Sequence, residues 1–271
     1  MKKIFLALLV AVAALSCNKP YVIVQIADPQ LGFDADVKSQ QPGAVYVDDL
    51  TYEKEYLKKA VLEINKIKPD AVVFTGDNVH RTNDENQWNT LLSILSDINS
   101  EIKTLYVPGN HDVFITSQGV DISLFTEHFG EDRFVYRDHG VNLIGLNTNY
   151  IKFNDSRESE QLDWLKSALV KEKNSDVTLV FGHHPFFKED IDEEDGSQIQ
   201  KAKRRTYFDL FKSMDVDAVY AGHLHATREG EYEGIPMKTM TASAYQLGDD
   251  QPSIRVITVS KKGIGEKIHL L

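Results

Sequence analysis

The sequence predicts an α/β fold in which two mixed β-sheets pack face to face with helices on the outside. Three observations predict it. Short apolar runs alternate with amphipathic helical segments through most of the chain, which is the pattern of strands joined by crossovers. Five of those runs stop abruptly at side chains that bind metals. Near the C-terminus the pattern changes to strands joined by short turns, which adds antiparallel members to the sheets.

Taken in order, the chain of 271 residues opens with Met1-Lys2-Lys3 and an apolar stretch from Ile4 to Leu15. That stretch is shorter than the ~18–20 residues of a membrane span and reads as a secretory signal over residues 1–16. Ser16 precedes Cys17, the single cysteine of the protein, and a lone cysteine at this place resembles a bacterial lipoprotein attachment site. The expectation is an exported protein on the periplasmic side of a bacterial membrane, anchored through a lipid on Cys17, with residues 17–271 as one domain. Tyr21 to Ala27 then reads as a strand, Leu31 to Leu50 as a long loop, and Tyr52 to Ile67 as an amphipathic helix stopped by Pro69-Asp70. Ala71 to Phe74 and the run ending at Val107 are strands, separated by a helix carrying Trp88, Leu91, Leu92, Leu95 and Ile98. Asp121 is placed to cap a short helix ending at Gly130. Phe134 to Asp138 and Val141 to Thr148 form a hairpin about His139-Gly140. A helix through Leu162, Leu165 and Leu169 leads to the Val177 strand, and Gly230 to Ala242 and a hairpin from Ile254 to Leu270 close the sheets. The acidic run Lys188 to Gly196 and the basic run Lys201 to Arg205 sit between two ligand-bearing segments, as a solvated loop and helix start or as a rim that meets substrate.

The ends of the apolar runs carry the chemistry. They read Asp28-Pro29-Gln30, Gly76-Asp77-Asn78, Gly109-Asn110-His111-Asp112, Gly182-His183-His184-Pro185 and Gly222-His223-Leu224-His225. Carboxylate, amide and imidazole groups delivered at the carboxyl ends of strands describe a metal site assembled from five turns. Each segment alone is common by accident, whereas the ordered set of five is not. The balance of 30 basic against 41 acidic residues, a net charge of −11, excludes nucleic-acid binding through the general field. A phosphate held by such a chain needs local cations.

These segments resemble, in order, those of the calcineurin-like metallophosphoesterases: D-x-H, GD, GNH[DE], a GHxP-type histidine and GHxH. The resemblance runs from about Tyr21 to the C-terminus. The Asp28-Pro29-Gln30-Leu31-Gly32 wording is similar to the branch of calcineurin-like phosphoesterase domain-containing proteins, some regarded as Ser/Thr phosphatases. It implies a four-layer αββα sandwich and a hydrolase of phosphoesters, most simply phosphomonoesters, working with two divalent ions. Such a pair, about 3.5–4 Å apart, lowers the pKa of a shared water and clamps phosphoryl oxygens. By the same carry-over Asp28 and His225 bind the first ion, Asp77 bridges, and Asn110, His183 and His223 bind the second. Gln30 stands where most members have a ligand histidine, and His80 where many have the last Asp of GDxxD. His111 is the candidate general acid and Asp112 the candidate to orient its ring, while His80 reads as a loop residue. The donor set suits Mn, Fe, Zn or Mg without selecting one. Two alternatives stay open: a phosphodiesterase or nucleotidase on the same residues, and a metal-poor pseudoenzyme acting as a binding protein. The sequence gives no oligomeric state.

Overall fold

The computed structural model describes residues 19–172 and 177–271. The leader and Cys17 lie outside the described residues. Strand β1 (Tyr21–Ile26) is followed by α1 (Phe33–Ser39), α2 (Thr51–Ile67), β2 (Ala71–Phe74), α3 (Glu85–Leu95) and β3 (Lys103–Tyr106). A small hairpin, β4 (Phe114–Thr116) with β5 (Gly119–Asp121), leads to α4 (Ser123–Phe129). Then come β6 (Phe134–Asp138), β7 (Val141–Gly145), α5 (Thr148–Lys152), α6 (Glu158–Glu172) and β8 (Val177–Phe181). The chain continues through α7 (Lys201–Ser213), β9 (Ala218–Ala221), β10 (Arg228–Tyr232), β11 (Ile235–Thr239), β12 (Ser253–Ser260) and β13 (Gly263–Leu270).

The strands form two large sheets, ordered β13-β12-β1-β2-β3 and β10-β11-β9-β8-β7-β6. In the first, β1, β2 and β3 run parallel, and β12 joins β1 antiparallel; in the second, β7, β8, β9 and β11 run parallel. Parallel strands are covered on both faces, which is why they read as unbroken apolar runs. The two-residue side-chain period divides each strand between two cores. Val24, Ile26, Val72 and Phe74 face α2 and α3, where Leu57, Ile64, Trp88 and Leu91 meet them. Ile23, Val73 and Leu105 face the other way, onto Leu143, Leu179, Phe181 and Tyr220 of the second sheet. Behind that sheet Val180 and Val219 pack on Leu165 of α6 and Phe208 and Phe211 of α7. Three apolar clusters therefore separate four layers, helix, sheet, sheet and helix.

Several local expectations change. The segment 31–50 is not all loop, because α1 forms within it; the N–H of Asp34 in its first turn is taken by the buried Glu53 carboxylate of α2 at 2.6 Å. That cap comes from another element, so the local sequence carries no sign of it. The hairpin of β6 and β7 turns at His139-Gly140, both at positive φ, as a two-residue turn of that twist requires. The acidic and basic runs fold against each other. Arg204 is fully buried, donating to the carbonyls of Ile191 and Glu193 at 3.0 and 2.7 Å, and Arg205 pairs with Asp192 at 2.6 Å. No helix among the described residues is long and apolar enough to cross a membrane.

Candidate metal centre

Strands β1, β2 and β3 of one sheet and β8 and β9 of the other all end at the same edge of the sandwich, and the turns that follow are laced together. Asp28 N donates to Gly76 O at 3.2 Å, Gln30 N to Asp77 O at 2.9 Å, and Gly222 N to His183 O at 3.1 Å. The glycines of the motifs are sites of close approach. A Cβ at Gly109 would lie 2.1 Å from Asp77 Oδ1, and one at Gly222 would lie 2.6 Å from Asp28 Oδ2. Each carboxylate thus occupies the space of a side chain its neighbour lacks. Asp28, Gln30, Asp77, His223 and His225 all hold positive φ, making up five of the ten non-glycine residues with that conformation among those described. The sharp turns that aim these side chains inward are thereby costly ones.

The sequence-predicted residues converge as follows. His183 Nε2 lies 3.2 Å from Asp77 Oδ2, 3.0 Å from Asn110 Oδ1 and 3.1 Å from His223 Nδ1. On the other side Asp28 Oδ1 lies 3.7 Å from His225 Nε2, and both Asp28 oxygens accept from His223 N at 3.0 Å. His223 and His225, two residues apart, diverge as the positive-φ turn allows. Asp28, Asp77 and His183 form one metal-competent group, with ligand atoms within 4.8 Å of one another. His183, His223 and His184 form a second. His184 escaped the sequence reading, although it is buried and its ring centroid is 4.4 Å from that of His223. The doubled histidine of the Gly182 segment was the available signal.

The residues fit a pair of cations on three counts. Ligand atoms bound to one ion at ~2.1 Å sit roughly 3.0 Å apart when the bonds are perpendicular, which matches the separations around His183 Nε2. His183 and His225 each direct Nδ1 to a carbonyl oxygen, of Thr75 (2.9 Å) and Tyr245, which leaves the Nε2 lone pair to face inward. And Gln30 Oε1 is buried with no hydrogen-bond partner. An amide oxygen so placed is costly unless something electropositive meets it.

The electrostatics of the protein alone point the same way. Burial pushes the Asp28 carboxyl well above the usual carboxylate range, and the neighbouring Asp77 adds to the effect. Burial acts on Asp77 too, but His183 and His111 outweigh it and hold that carboxyl low. Burial alone would depress His183; Asp77 and Asp28 raise it to about 9. Burial and the charge on His183 drive His223 down to about 3, and burial lowers His225. The buried carboxylates Asp77 and Asp28 thus favour positive charge within this cluster, which bound cations would supply.

His111 reaches the same edge by a different route. Its N–H donates to Asp77 Oδ1 at 2.8 Å, and its Nδ1 meets the carbonyl of His80 at 2.8 Å. Asp112 is a correction to the sequence expectation, for its carboxylate partners lie elsewhere than the His111 ring. It accepts from Asn78 N (2.8 Å), Asn78 Nδ2 (3.0 Å), Val79 N (3.3 Å) and Gly109 N (2.8 Å). Adjacent side chains on a turn point apart; Asp112 faces inward as a staple between two ligand loops, and burial pushes its carboxyl up to about 6. His80 departs from expectation in the opposite sense. Its ring stacks on His111 at 4.8 Å and on Phe33 at 5.1 Å, and its Nδ1 lies 3.3 Å from Gln30 Nε2. Phe33 and Tyr245, which no motif marked, cover His225: Phe33 lies 5.3 Å from that ring and 5.0 Å from Tyr245.

Comparison with known proteins adds findings of three kinds. The family model described as calcineurin-like phosphoesterase matches residues 21–227. A protein of Danio rerio named serine/threonine-protein phosphatase CPPED1 is 32% identical over 267 residues, covering 93% of this chain and 85% of its own. Its Homo sapiens counterpart is 29% identical over 269 residues, covering 93% and 84%. A probable glycerophosphodiester phosphodiesterase of Arcobacter nitrofigilis is 29% identical over 212 residues, covering 74% of this chain and 75% of its own. Among solved structures, a dimetal phosphatase from Danio rerio superposes with a TM-score of 0.65 at 16% identity, covering 92% of this chain and 99% of that one. A purple acid phosphatase of yellow lupin superposes with 0.64 at 12% identity, covering 89% and 49%. These two likenesses bear on the fold, which they share.

Proposed function

Because the chain belongs to the calcineurin-like phosphoesterase family, and so is a metal-dependent hydrolase of phosphoesters, we propose that its substrates are phosphomonoesters held at the shared edge of the two sheets. The observation that carries this reading is the convergence on His183 Nε2 of Asp77, Asn110 and His223, each within 3.2 Å. In this assignment Asp28, His225 and Gln30 would hold a first divalent ion, Asn110, His183 and His223 a second, and Asp77 would serve both. When bound, the ions supply an acidified water and Lewis-acid stabilisation of the phosphoryl oxygens. Mn, Fe, Zn and Mg all suit the donor set, and Gln30 in place of an imidazole favours Mn or Mg at the first position.

The chain's own part is positional. With Nδ1 donating to the His80 carbonyl, His111 keeps Nε2 to carry a proton to the leaving oxygen. The bond from His111 N to Asp77 Oδ1 ties that acid to the carboxylate at the centre of the site. Monoesters are favoured by the relatives named as phosphatases, which align over most of this chain. The Arcobacter nitrofigilis relative supports the second reading, diester hydrolysis on the same residues. On sequence alone we further propose export and a lipid on Cys17. Strand β1 starts at Tyr21, at the end of the sandwich opposite Asp28, so such a tether would leave the site facing away from the membrane.

The test is turnover of a phosphomonoester and a phosphodiester in parallel, on stripped protein refilled with one metal at a time. Activity should vanish on stripping, return with metal and favour the monoester. A stripped enzyme as fast as the original would overturn the metal centre, and a faster diester would overturn the substrate class.

A further inference from the structure

Gln30 and His80, the two positions at which the motifs depart from the family's usual wording, touch each other. Gln30 Nε2 lies 3.3 Å from His80 Nδ1 across a separation of 50 residues. The far side of the His80 ring faces a carboxylate: His80 Nε2 lies 3.5 Å from Asp36 Oδ2 on α1. A carboxylate has only lone pairs to offer, so it selects the tautomer with the proton on Nε2. Nδ1 is then an acceptor, and only the NH2 end of the Gln30 amide satisfies it. The oxygen end is turned away, and it is this Oε1 that is buried without a partner. His80 is itself held flat between Phe33 and His111, with interplanar angles of 28° and 22°. Its single ring N–H, on Nε2, faces Asp36 and does not compete for the amide oxygen.

We propose that Asp36, His80 and Gln30 form a relay that presents the Gln30 carbonyl oxygen to the first cation. His80 is then a positioning residue for a ligand on another loop. The inference rests on the dinuclear reading above and adds to it a reason why an amide serves at this position. A free amide offers its two ends with little preference, whereas a fixed imidazole acceptor makes the oxygen the only inward face.

Binding of Mn²⁺ alone, measured by titration calorimetry on stripped full-length protein, tests the relay without recourse to turnover. His80→Phe keeps a ring between Phe33 and His111, and keeps the backbone carbonyl that holds His111, while removing the acceptor. It should weaken Mn²⁺ at the first site about tenfold or more, the usual effect of losing a partner that orients a ligand. His80→Asn, whose Oδ1 can stand in for Nδ1, should bind within a few-fold of wild type. In a Gln30→Ala background His80→Phe should weaken binding no further, since nothing remains to orient. Should His80→Phe fail to fold, Asp36→Ala on the partly exposed face of α1 tests the same relay, with severalfold weakening expected only when Gln30 is present. Wild-type affinity in His80→Phe, or equal weakening with and without Gln30, would overturn the relay. A wild-type protein that takes up no Mn²⁺ or other divalent ion would instead overturn the metal centre itself.

Discussion

Replacing Asp112 separates two accounts of that residue by the quantity they perturb. If its carboxylate served the His111 ring, Asp112→Ala would slow turnover and leave stability alone. The structure gives four buried donors to the carboxylate, three of them backbone N–H groups of the two loops that carry Asp77 and Asn110. Each donor left without an acceptor costs about 1–3 kcal/mol, so the gross loss in Asp112→Ala is roughly 4–12 kcal/mol. Part is offset, because burial already disfavours the charge, as the upward shift of its carboxyl shows. A net loss of about 3 kcal/mol or more is expected, among the larger single-residue effects. Asp112→Asn should cost less. Its amide oxygen can keep the bonds from Asn78 N and Val79 N, and, once the Asn78 amide flips, its NH2 can donate to Asn78 Oδ1, which is buried without a partner. Gly109 N then confronts a donor, while Asn78 Nδ2 gives up its acceptor as Asn78 Oδ1 gains a donor, for a net loss of about 1–3 kcal/mol, or roughly 2–12 °C in Tm for a domain of this size. Urea unfolding followed by circular dichroism, with and without chelator, measures both. An Asp112→Ala protein with the wild-type midpoint and slope would refute the staple.

Two further outcomes follow from other residues. His111→Ala should keep both metals yet lose ~10²–10⁴ in turnover, least with substrates whose leaving groups depart without protonation; a uniform deficit would assign the ring to phosphate binding instead. Asp155 accepts from Val120 N at 2.7 Å and from Arg157 Nε at 2.8 Å, and the Arg157 guanidinium beside it holds its carboxyl well below the usual range. Because the folded-state pKa is the lower one, its stabilisation is present above about pH 4 and is lost as pH falls further. The partly exposed guanidinium limits the effect, so Asp155→Asn should cost about 1–2 kcal/mol at pH 7. That gap should close in acid, and denaturation curves that stay equally separated at pH 2.5 would contradict the assignment.

How far the sequence could be read depended on where each residue's partners lie. The strand ends were legible because an apolar run meeting Gly, Pro or Asp is a local event, and the ligand types sit within two or three residues of it. The order of those turns was enough to anticipate a single convergent edge. What lay hidden was direction. Nothing local says that Asp112 points at backbone amides of the Asn78 loop instead of the ring beside it, or that His80 turns inward to stack on His111. Helix α1 was hidden because its cap is Glu53, from a helix further along the chain. Tyr245, whose carbonyl takes the His225 proton, comes from a stretch with no periodicity, and only the folded chain brings it there.

The positive-φ turns bear on how this protein responds to selection. Asp28, Gln30, Asp77, His223 and His225 sit in a backbone conformation that disfavours side chains by ~1 kcal/mol or more each, and that glycine adopts freely. Glycine at Asp28 would also remove a buried carboxylate whose ionisation the interior resists. A library screened only for heat resistance should therefore enrich for glycine at those positions where the backbone relief outweighs the lost hydrogen bonds, and recover well-folded chains with an empty edge. Branched residues such as Val, Ile or Thr should be absent from survivors of any screen. Robustness and chemistry draw on the same five backbone torsions in opposite directions, so the centre is a place where variants that gain stability are expected to be silent.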